Sequence, residues 1–379
     1  MRQVFRYLRQ AKFRYRPLAE VQLRRTALYH NVRLVQQTLA PVQVAPVLKS
    51  NAYGHGLIPI AQLLDNQKLP FLVIDSYYEA LILRNEGIRT PLLIIGYSHP
   101  DNVSNNHLPA IAFTVTSLPE LQLLCQRIHK PTTIHLKIDT GMHRQGILLT
   151  EIPDAIQALH TQTNLQLAGI ASHLADADNT DSTFTAQQIV RWNSVVEQFI
   201  QQFPTLKYYH LSATSGLAHH STITANVMRL GLGLYGISSS PLLQLDFQPV
   251  LSLITVLSSI KTVSAGERIG YNGIYQTTQA ATIATIPMGY YEGVDRRLSN
   301  VGIMTMGDAV CPIRGRVSMN ITSLDVSAVA KPKLNDPVIV MSANPAAPNC
   351  VAALAKLCGT IPYELLVHLP ATLRRTIID

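Results

Sequence analysis

The strongest constraint in this chain is a recurrence of pattern rather than of sequence. Eight apolar, β-branched runs of strand length occur at Val42–Leu48, Phe71–Ile74, Pro91–Ile95, Ile111–Val115, Thr132–Ile138, Leu167–Ala171, Leu206–Leu211 and Asn226–Leu230. Amphipathic stretches with helical spacing separate most of them: Leu57–Asp65, Tyr77–Glu86, Leu118–His129, Ile152–His160 and Phe184–Phe203. Another, Arg24–Gln37, precedes the first run, while the third and seventh connections are weaker and rich in Asn and His. Apolar strands joined by helices form a parallel sheet, because parallel neighbours need crossovers and the crossovers cover the sheet. Eight such units fit a closed (β/α)8 barrel, with a doubly wound open sheet as the rival.

After Gly236 the pattern changes, and Ser238-Ser239-Ser240-Pro241 reads as a break. Short strand-like runs follow at Val250–Ile260, Ala281–Ile286, Gly302–Met306, Val310–Ile313 and Pro337–Met341, with turn signals between them and a late helix, Val351–Leu357. The expected fold is α/β: a basic extension over 1–16, a (β/α)8 TIM-type barrel over 17–244, and a β-rich C-terminal domain over 245–379.

Composition removes several function classes. Hydrophobic residues make up 47% and charged residues 14%, which excludes a disordered chain. No apolar run reaches the roughly 18 residues a spanning helix requires. The net charge is +8, but Arg2, Arg6, Arg9, Lys12, Arg14 and Arg16 all precede the first acid, Glu20, and without these six the rest carries +2. A nearly neutral body argues against nucleic-acid binding. The tail also has Val4, Leu8, Ala11 and Tyr15 at helical spacing. It reads as a membrane-surface or transit-like helix, or, as composition favours, a plain exposed extension or a start placed too far upstream; it lacks the apolar core of a secretory signal. Cys125, Cys311, Cys350 and Cys358 are scattered, without a Cys-x-x-Cys pair, so neither structural zinc nor a disulfide framework is expected. A cytoplasmic location is the expectation.

Active sites of such barrels lie at the C-terminal strand ends. Lys49 ends the first run; Lys137, Asp139 and Arg144 follow the fifth; His173 ends the sixth; Thr214, Ser215 and Gly216 follow the seventh; Arg229, Gly231 and Gly233 end the eighth. A lysine at an apolar rim is either a strand end reaching solvent or a nucleophile that condenses with an aldehyde. The glycine turn after the eighth run is either a plain turn or a place where backbone N–H groups approach a phosphate. Together they suit a phosphorylated aldehyde, pyridoxal 5′-phosphate. Arg229, which offers only donors, would then meet the pyridine nitrogen; otherwise it forms a salt bridge to a barrel carboxylate.

These residues fall in blocks that resemble those of bacterial alanine racemases. Val47-Leu48-Lys49-Ser50-Asn51-Ala52-Tyr53-Gly54-His55-Gly56 resembles the family's cofactor-lysine motif. His135–Arg144, Met228–Gly236, Ile269–Gly273, Ile286–Tyr290 and Gly315–Asn320 resemble its later blocks, in order, so that the likeness spans roughly residues 17–369. The resemblance implies a pyridoxal-phosphate enzyme that interconverts L- and D-alanine, supplying D-alanine for peptidoglycan. It also implies a homodimer whose sites are shared between subunits. By the same resemblance Lys49 and Tyr271 are the two bases, Tyr271 coming from the other subunit. Tyr53, Ser215 and the N–H groups of Gly231 and Leu232 hold the phosphate, Arg229 meets the ring nitrogen, and His173 lies near the ring. Arg144 and the backbone of Met319 take the substrate carboxylate. Lys137 matches a lysine that is carbamylated in some members.

The chain departs from the family pattern in three places. Asn320 stands where many relatives carry Asp, and His210 lies five residues before Ser215 where relatives place a histidine four before. The ending Leu369–Arg375 is atypical and lacks a tyrosine that helps hold phosphate in some members. Three alternatives stand beside the racemase. A related decarboxylase would carry a carboxylate at the ring nitrogen and a cysteine motif in its second domain, a pyridoxal-phosphate homeostasis protein would be a lone barrel, and a racemase of wider substrate range remains open.

Overall fold

A computed structural model describes residues 16–238 and 240–379. The expected basic segment 1–16 lies, but for Arg16, outside the described residues, as does Ser239 of the break. The described chain divides into two compact units, Arg24–Val250 and Leu251–Ile378, with residues 16–23 joining the second.

The first unit contains all eight expected strands. The first strand among the described residues, β1 (Ala19–Arg24), belongs elsewhere; the barrel strands are β2 (Gln43–Pro46), β3 (Leu72–Ile74), β4 (Leu92–Ile94), β5 (Ile111–Val115), β6 (Thr132–Asp139), β7 (Leu165–Ala171), β8 (Tyr208–His210) and β9 (Val227–Leu230). β3 to β8 pair in parallel in sequence order, and β9 pairs with β2. Two joints close the ring. Val47 bridges to Val73, with the Leu48 N–H on the Val73 carbonyl at 2.7 Å. The Asn226 N–H reaches the Tyr209 carbonyl at 3.2 Å, and the Arg229 N–H reaches the Ser212 carbonyl at 3.3 Å. The closed barrel therefore prevails over the open sheet.

Helices match their expected positions to within a residue or two. Ser76 and Ser117 cap the helices Tyr77–Asn85 and Leu118–Arg127 by accepting from the N–H groups of Glu79 and Glu120. The weak third connection holds a single short helix, Pro100–Ser104, and the seventh a 3-10 run, Thr214–Thr222. The opening helix, Arg25–Leu39, buries Ala27, Leu28, Asn31, Val32, Val35 and Leu39, one stripe at helical spacing. Asn31 in that stripe is fully buried and satisfied. Its Nδ2 donates to the carbonyls of Leu234 and Gln248 at 3.1 and 2.8 Å, and its Oδ1 accepts from the Gln248 N–H at 2.8 Å.

The second unit carries a six-stranded sheet in the order Ala309–Pro312, Ile303–Met306, Pro337–Met341, Leu251–Val256, β1, Arg374–Ile378. A three-stranded sheet of Ser259–Val263, Ala281–Ile286 and Thr322–Asp325 accompanies it. Two expectations need correction. The run Val250–Ile260 is two strands in different sheets, because Leu257 and Ser258 turn away to pair with Asp336 and Thr285. The boundary at residue 17 also fails. Strand β1 alternates buried and half-buried residues and pairs antiparallel with Leu251–Val256, so residues 17–23 belong to the β-rich unit and not to the barrel.

The four cysteines are free, and among the described residues no helix is long and apolar enough to cross a membrane. Replacing Asn31 with Ala strands the Gln248 N–H and two carbonyls in a buried setting. The expected cost is about 2–3 kcal/mol of unfolding free energy in urea titrations, with the m-value unchanged.

Candidate active site

At the end of β2 the chain does something unusual for L-residues. Directly after the half-buried Lys49, four non-glycine residues take left-handed angles: Ser50, Asn51, Ala52 and Tyr53, with φ of 56°, 56°, 53° and 51°. Each costs on the order of 1–2 kcal/mol in isolation, so the surroundings must hold the turn. Asn51 Oδ1 accepts from the Leu57 N–H at 2.8 Å, and His55 Nδ1 contacts the carbonyls of Ala52 and Tyr53 at 3.1 and 3.0 Å. The His55 ring stacks on Tyr235, centroids 4.2 Å apart, while the Tyr235 hydroxyl donates to the Val47 carbonyl at 2.7 Å. The turn thus fixes both Lys49 and Tyr53 to the first strand end.

Tyr53 is aimed at the end of β9. A Cβ built on Gly231 would lie 3.3 Å from the Tyr53 hydroxyl and 3.7 Å from Thr214 Oγ1, so both hydroxyls and the Gly231 backbone border one space. The N–H groups of Gly231 and Leu232 sit at the start of the 3-10 turn Leu232–Tyr235, where no intrahelical acceptor exists. Thr214 stands among the strand-end candidates of the sequence but has no role assigned there. It is buried, and its hydroxyl accepts from the Gly233 N–H at 3.1 Å. Thr214 lies four residues after His210, the expected interval. The structure therefore brings Thr214 to the glycine turn, where the sequence reading places its half-buried neighbour Ser215.

Arg229, at the same strand end, is buried, and its four Nη hydrogens are committed. Nη1 donates to His210 Nδ1 and to the His210 carbonyl at 2.8 Å; Nη2 donates to the carbonyls of Ser172 and Leu211 at 2.7 and 2.8 Å, with His173 Nδ1 at 3.2 Å. None of these partners is a carboxylate, so the salt-bridge reading of Arg229 falls away. Among the described residues none accepts from its Nε–H, which leaves that group for a ligand. Burial lowers the guanidinium's pKa to about 10. Its charge in turn acts on its neighbours. Burial first, and the Arg229 charge second, hold His173 and Lys137 well below their ordinary values; Arg144 and Lys49 also depress Lys137, while Asp139 opposes. His210 is lowered for the same two leading reasons, and His135, hydrogen-bonded to it, falls to about 3. Arg144 itself is exposed in the loop after β6.

The remaining expected residues lie in the β-rich unit. Tyr271 opens a 3-10 turn between the two-residue strands Arg268–Ile269 and Tyr275–Gln276 and is 70% exposed. Met319 is exposed; its carbonyl accepts from the Tyr291 N–H at 3.0 Å, and among the described residues its own N–H has no backbone acceptor. Asn320 has a local reason to be an amide. Its Nδ2 donates to Glu292 Oε1 at 2.6 Å, while Glu292 Oε2 accepts from the Gly289 N–H at 2.8 Å. An aspartate there would set two carboxylates against each other. The atypical ending is organised by Arg375, whose Nη1 donates to the carbonyls of Pro370 and Leu373 at 2.8 and 2.7 Å.

A closed parallel barrel with a lysine, an arginine and a glycine turn converging at one mouth, followed by a β-rich domain, defines a barrel enzyme of cofactor-lysine type. Family comparison makes this specific. The model for "Alanine racemase, N-terminal domain" matches residues 23–239, and that for "Alanine racemase, C-terminal domain" matches residues 250–377. The chain belongs to the alanine racemase family, whose members are isomerases. Alanine racemase of Syntrophobacter fumaroxidans is 32% identical over 353 residues, covering 91% of this chain and 93% of its own. That of Sorangium cellulosum is 33% identical over 368 residues, covering 93% and 96%. Among solved structures, alanine racemase of Clostridium difficile 630 superposes with a TM-score of 0.89 at 26% identity, covering 96% of each chain. The Bacillus anthracis enzyme with bound L-Ala-P gives 0.88 at 27%, covering 97% of this chain and 96% of that one.

The neutral histidines have a measurable consequence. In the unfolded chain a histidine takes up a proton below about pH 6.5, whereas folded His135 does not until about pH 3. The unfolded state binds more protons across that window, so stability is full above it and is lost as pH falls. Between about pH 7.5 and 5.5 His135 alone removes about 1.4 kcal/mol, and His173 and His210 add in the same direction. Urea unfolding at the two pH values, with His135→Asn as the comparison, measures it.

Proposed function

We propose that this chain interconverts L- and D-alanine with pyridoxal 5′-phosphate, as a homodimer in which each active site takes residues from both copies. The observation that carries this reading is the space at Gly231, bordered by the Tyr53 and Thr214 hydroxyls and by open backbone N–H groups, beside the spare Nε–H of Arg229. That set suits a phosphate at one end and a ring nitrogen at the other, with Lys49 as the amine for the aldehyde. When bound, pyridoxal phosphate supplies the electron sink that makes the α-proton of an amino acid removable.

The chain's own residues do the rest. Lys49 moves the proton on the face that belongs to D-alanine, and Tyr271, from the second copy, moves it on the face of L-alanine. Two bases are required because the proton leaves one face and returns to the other, each base within about 3 Å of its proton. A tyrosine ordinarily holds its proton to about pH 10, so it needs the hydrogen-bonding help that His173 and Arg229 are arranged to pass on. Arg229 offers only donors and keeps the ring nitrogen it meets unprotonated, which favours return of the proton over side reactions. The substrate carboxylate falls to Arg144 and the Met319 N–H. Burial, with the Arg229 charge beside it, lowers the pKa of Lys137 toward the neutral state that carbamylation needs, and Lys137 orients Arg144. The expected role is supply of D-alanine for peptidoglycan in the cytoplasm. Arg229 in place of a carboxylate opposes the decarboxylase alternative, and the β-rich unit opposes the lone-barrel one.

The test is loss of optical rotation of L-alanine by purified protein with added pyridoxal phosphate. Decay to a racemic mixture, absent in Lys49→Ala, is expected; unchanged rotation overturns the reading. Tyr271→Phe is expected to reduce α-proton exchange from L-alanine by about 10²–10⁴-fold, and exchange from D-alanine less. Thr214→Val is expected to weaken cofactor affinity by about tenfold, while Ser215→Ala changes it less than about twofold. Equilibrium dialysis against the cofactor measures that difference.

A further inference from the structure

His135 and His210 lie on strands that are not neighbours. Strand β7 runs between β6 and β8, yet His135 Nδ1 and His210 Nε2 are 2.9 Å apart. The bond passes over Gly169. A Cβ built at that glycine would lie 2.6 Å from His135 Nδ1 and 2.9 Å from the Tyr208 carbonyl oxygen, so the crossing requires the absence of a side chain. A bulge delivers the glycine to this place. Ile134 pairs with Leu167 but His135 pairs with Gly169, so the register skips Ala168. Phe71 completes the packing, edge-on to His135 at 5.5 Å and tilted against His210 at 5.8 Å.

The protonation of this pair follows from its one fixed member. Arg229 only donates, so His210 Nδ1 accepts from Nη1. Neutral His210 then carries its proton on Nε2, facing His135, and His135 Nδ1 must accept it. Without that acceptor, the Nε2 proton is buried and unsatisfied, and the ring gains by moving the proton to Nδ1. A proton there confronts the Nη1 protons of Arg229 and drives the guanidinium away.

We propose that His135 is a positioning residue for Arg229: through His210, across Gly169, it selects the one tautomer that holds the guanidinium in place and leaves Nε–H aimed at the cofactor ring. The catalytic consequence rests on the racemase reading; the tautomers rest on geometry alone.

Asparagine and leucine separate this role from packing, because Asn Oδ1 occupies the place of His Nδ1 and remains an acceptor. The first measurement is nitrogen-15 NMR of the histidines in the full, cofactor-free wild-type chain. The expected spectrum shows His210 protonated on Nε2, unprotonated on Nδ1, and scalar-coupled across the hydrogen bond to His135 Nδ1. A His210 proton on Nδ1 overturns the proposal, whatever the variants do. In the holoenzyme, His135→Leu is expected to raise the ratio of transamination to racemisation by about fivefold, with the KM for alanine changed less than about twofold. His135→Asn is expected to keep the wild-type ratio. A folded His135→Leu with unchanged ratio and unchanged His210 signals, or an Asn variant as impaired as the Leu one, overturns the proposal. If His135→Leu fails to fold, the wild-type spectrum and His135→Asn decide. The expected tautomers in a chain without racemase activity would sink the racemase reading and leave the relay standing.

Discussion

A guanidinium buried without a carboxylate partner sets the terms for everything around it. Arg229 is held by carbonyls of Ser172, His210 and Leu211 and by two imidazoles, so its charge is solvated by dipoles rather than neutralised. An uncompensated buried charge is costly and makes every neighbouring cation harder to form. Burial first, and this charge second, lowers the pKa of His135, His173, His210 and Lys137. What remains is a mouth with a permanent positive field and hydrogen-bonding walls. Such a field draws anions, and a phosphate and a carboxylate are the two anions the reaction brings.

The left-handed turn after Lys49 belongs to the same economy of position. Four residues in the αL region are tolerated because Asn51, His55 and Tyr235 over-determine them. An ordinary right-handed turn would send Tyr53 away from Gly231. Backbone strain on one strand end and a buried charge on its neighbour, β9, are thus two costs borne by a single barrel joint, the β2–β9 pair. The barrel's closure is the element that both of them use.

Much of this is legible in the sequence, for definite reasons. The eight barrel strands stand out because parallel strands covered on both faces are continuous apolar runs, and Ala281–Ile286 and Pro337–Met341 agree to the residue. Strands β1, Thr322–Asp325 and Arg374–Ile378 do not stand out, since charged and polar residues on their open faces blur the pattern. Lys49, Arg229 and the glycine turn are legible as strand-end residues, and their proposed roles come from resemblance in short blocks. Thr214 yields to Ser215 in the sequence because two adjacent hydroxyls differ only in which one a 3-10 turn faces inward; the spacing from His210 is the available signal. The His135–His210 contact depends on a skipped residue in a strand, and nothing in the sequence alone marks Ala168 as that residue.

The pairing of β1 with Leu251–Val256 has a kinetic meaning. These two strands form an antiparallel hairpin whose loop is the entire barrel, and the loop's ends meet where the Arg24 N–H donates to the Val250 carbonyl at 2.9 Å. An unfolded loop of that length makes closure entropically slow, whereas a folded barrel presents both ends already side by side. The barrel is in this sense an insertion within the β-rich domain, and pairing of β1 with Leu251–Val256 costs least loop-closure entropy once the barrel has folded. During synthesis β1 leaves the ribosome long before its partner exists. Its pairing with Leu251–Val256 has to await the whole of the barrel sequence.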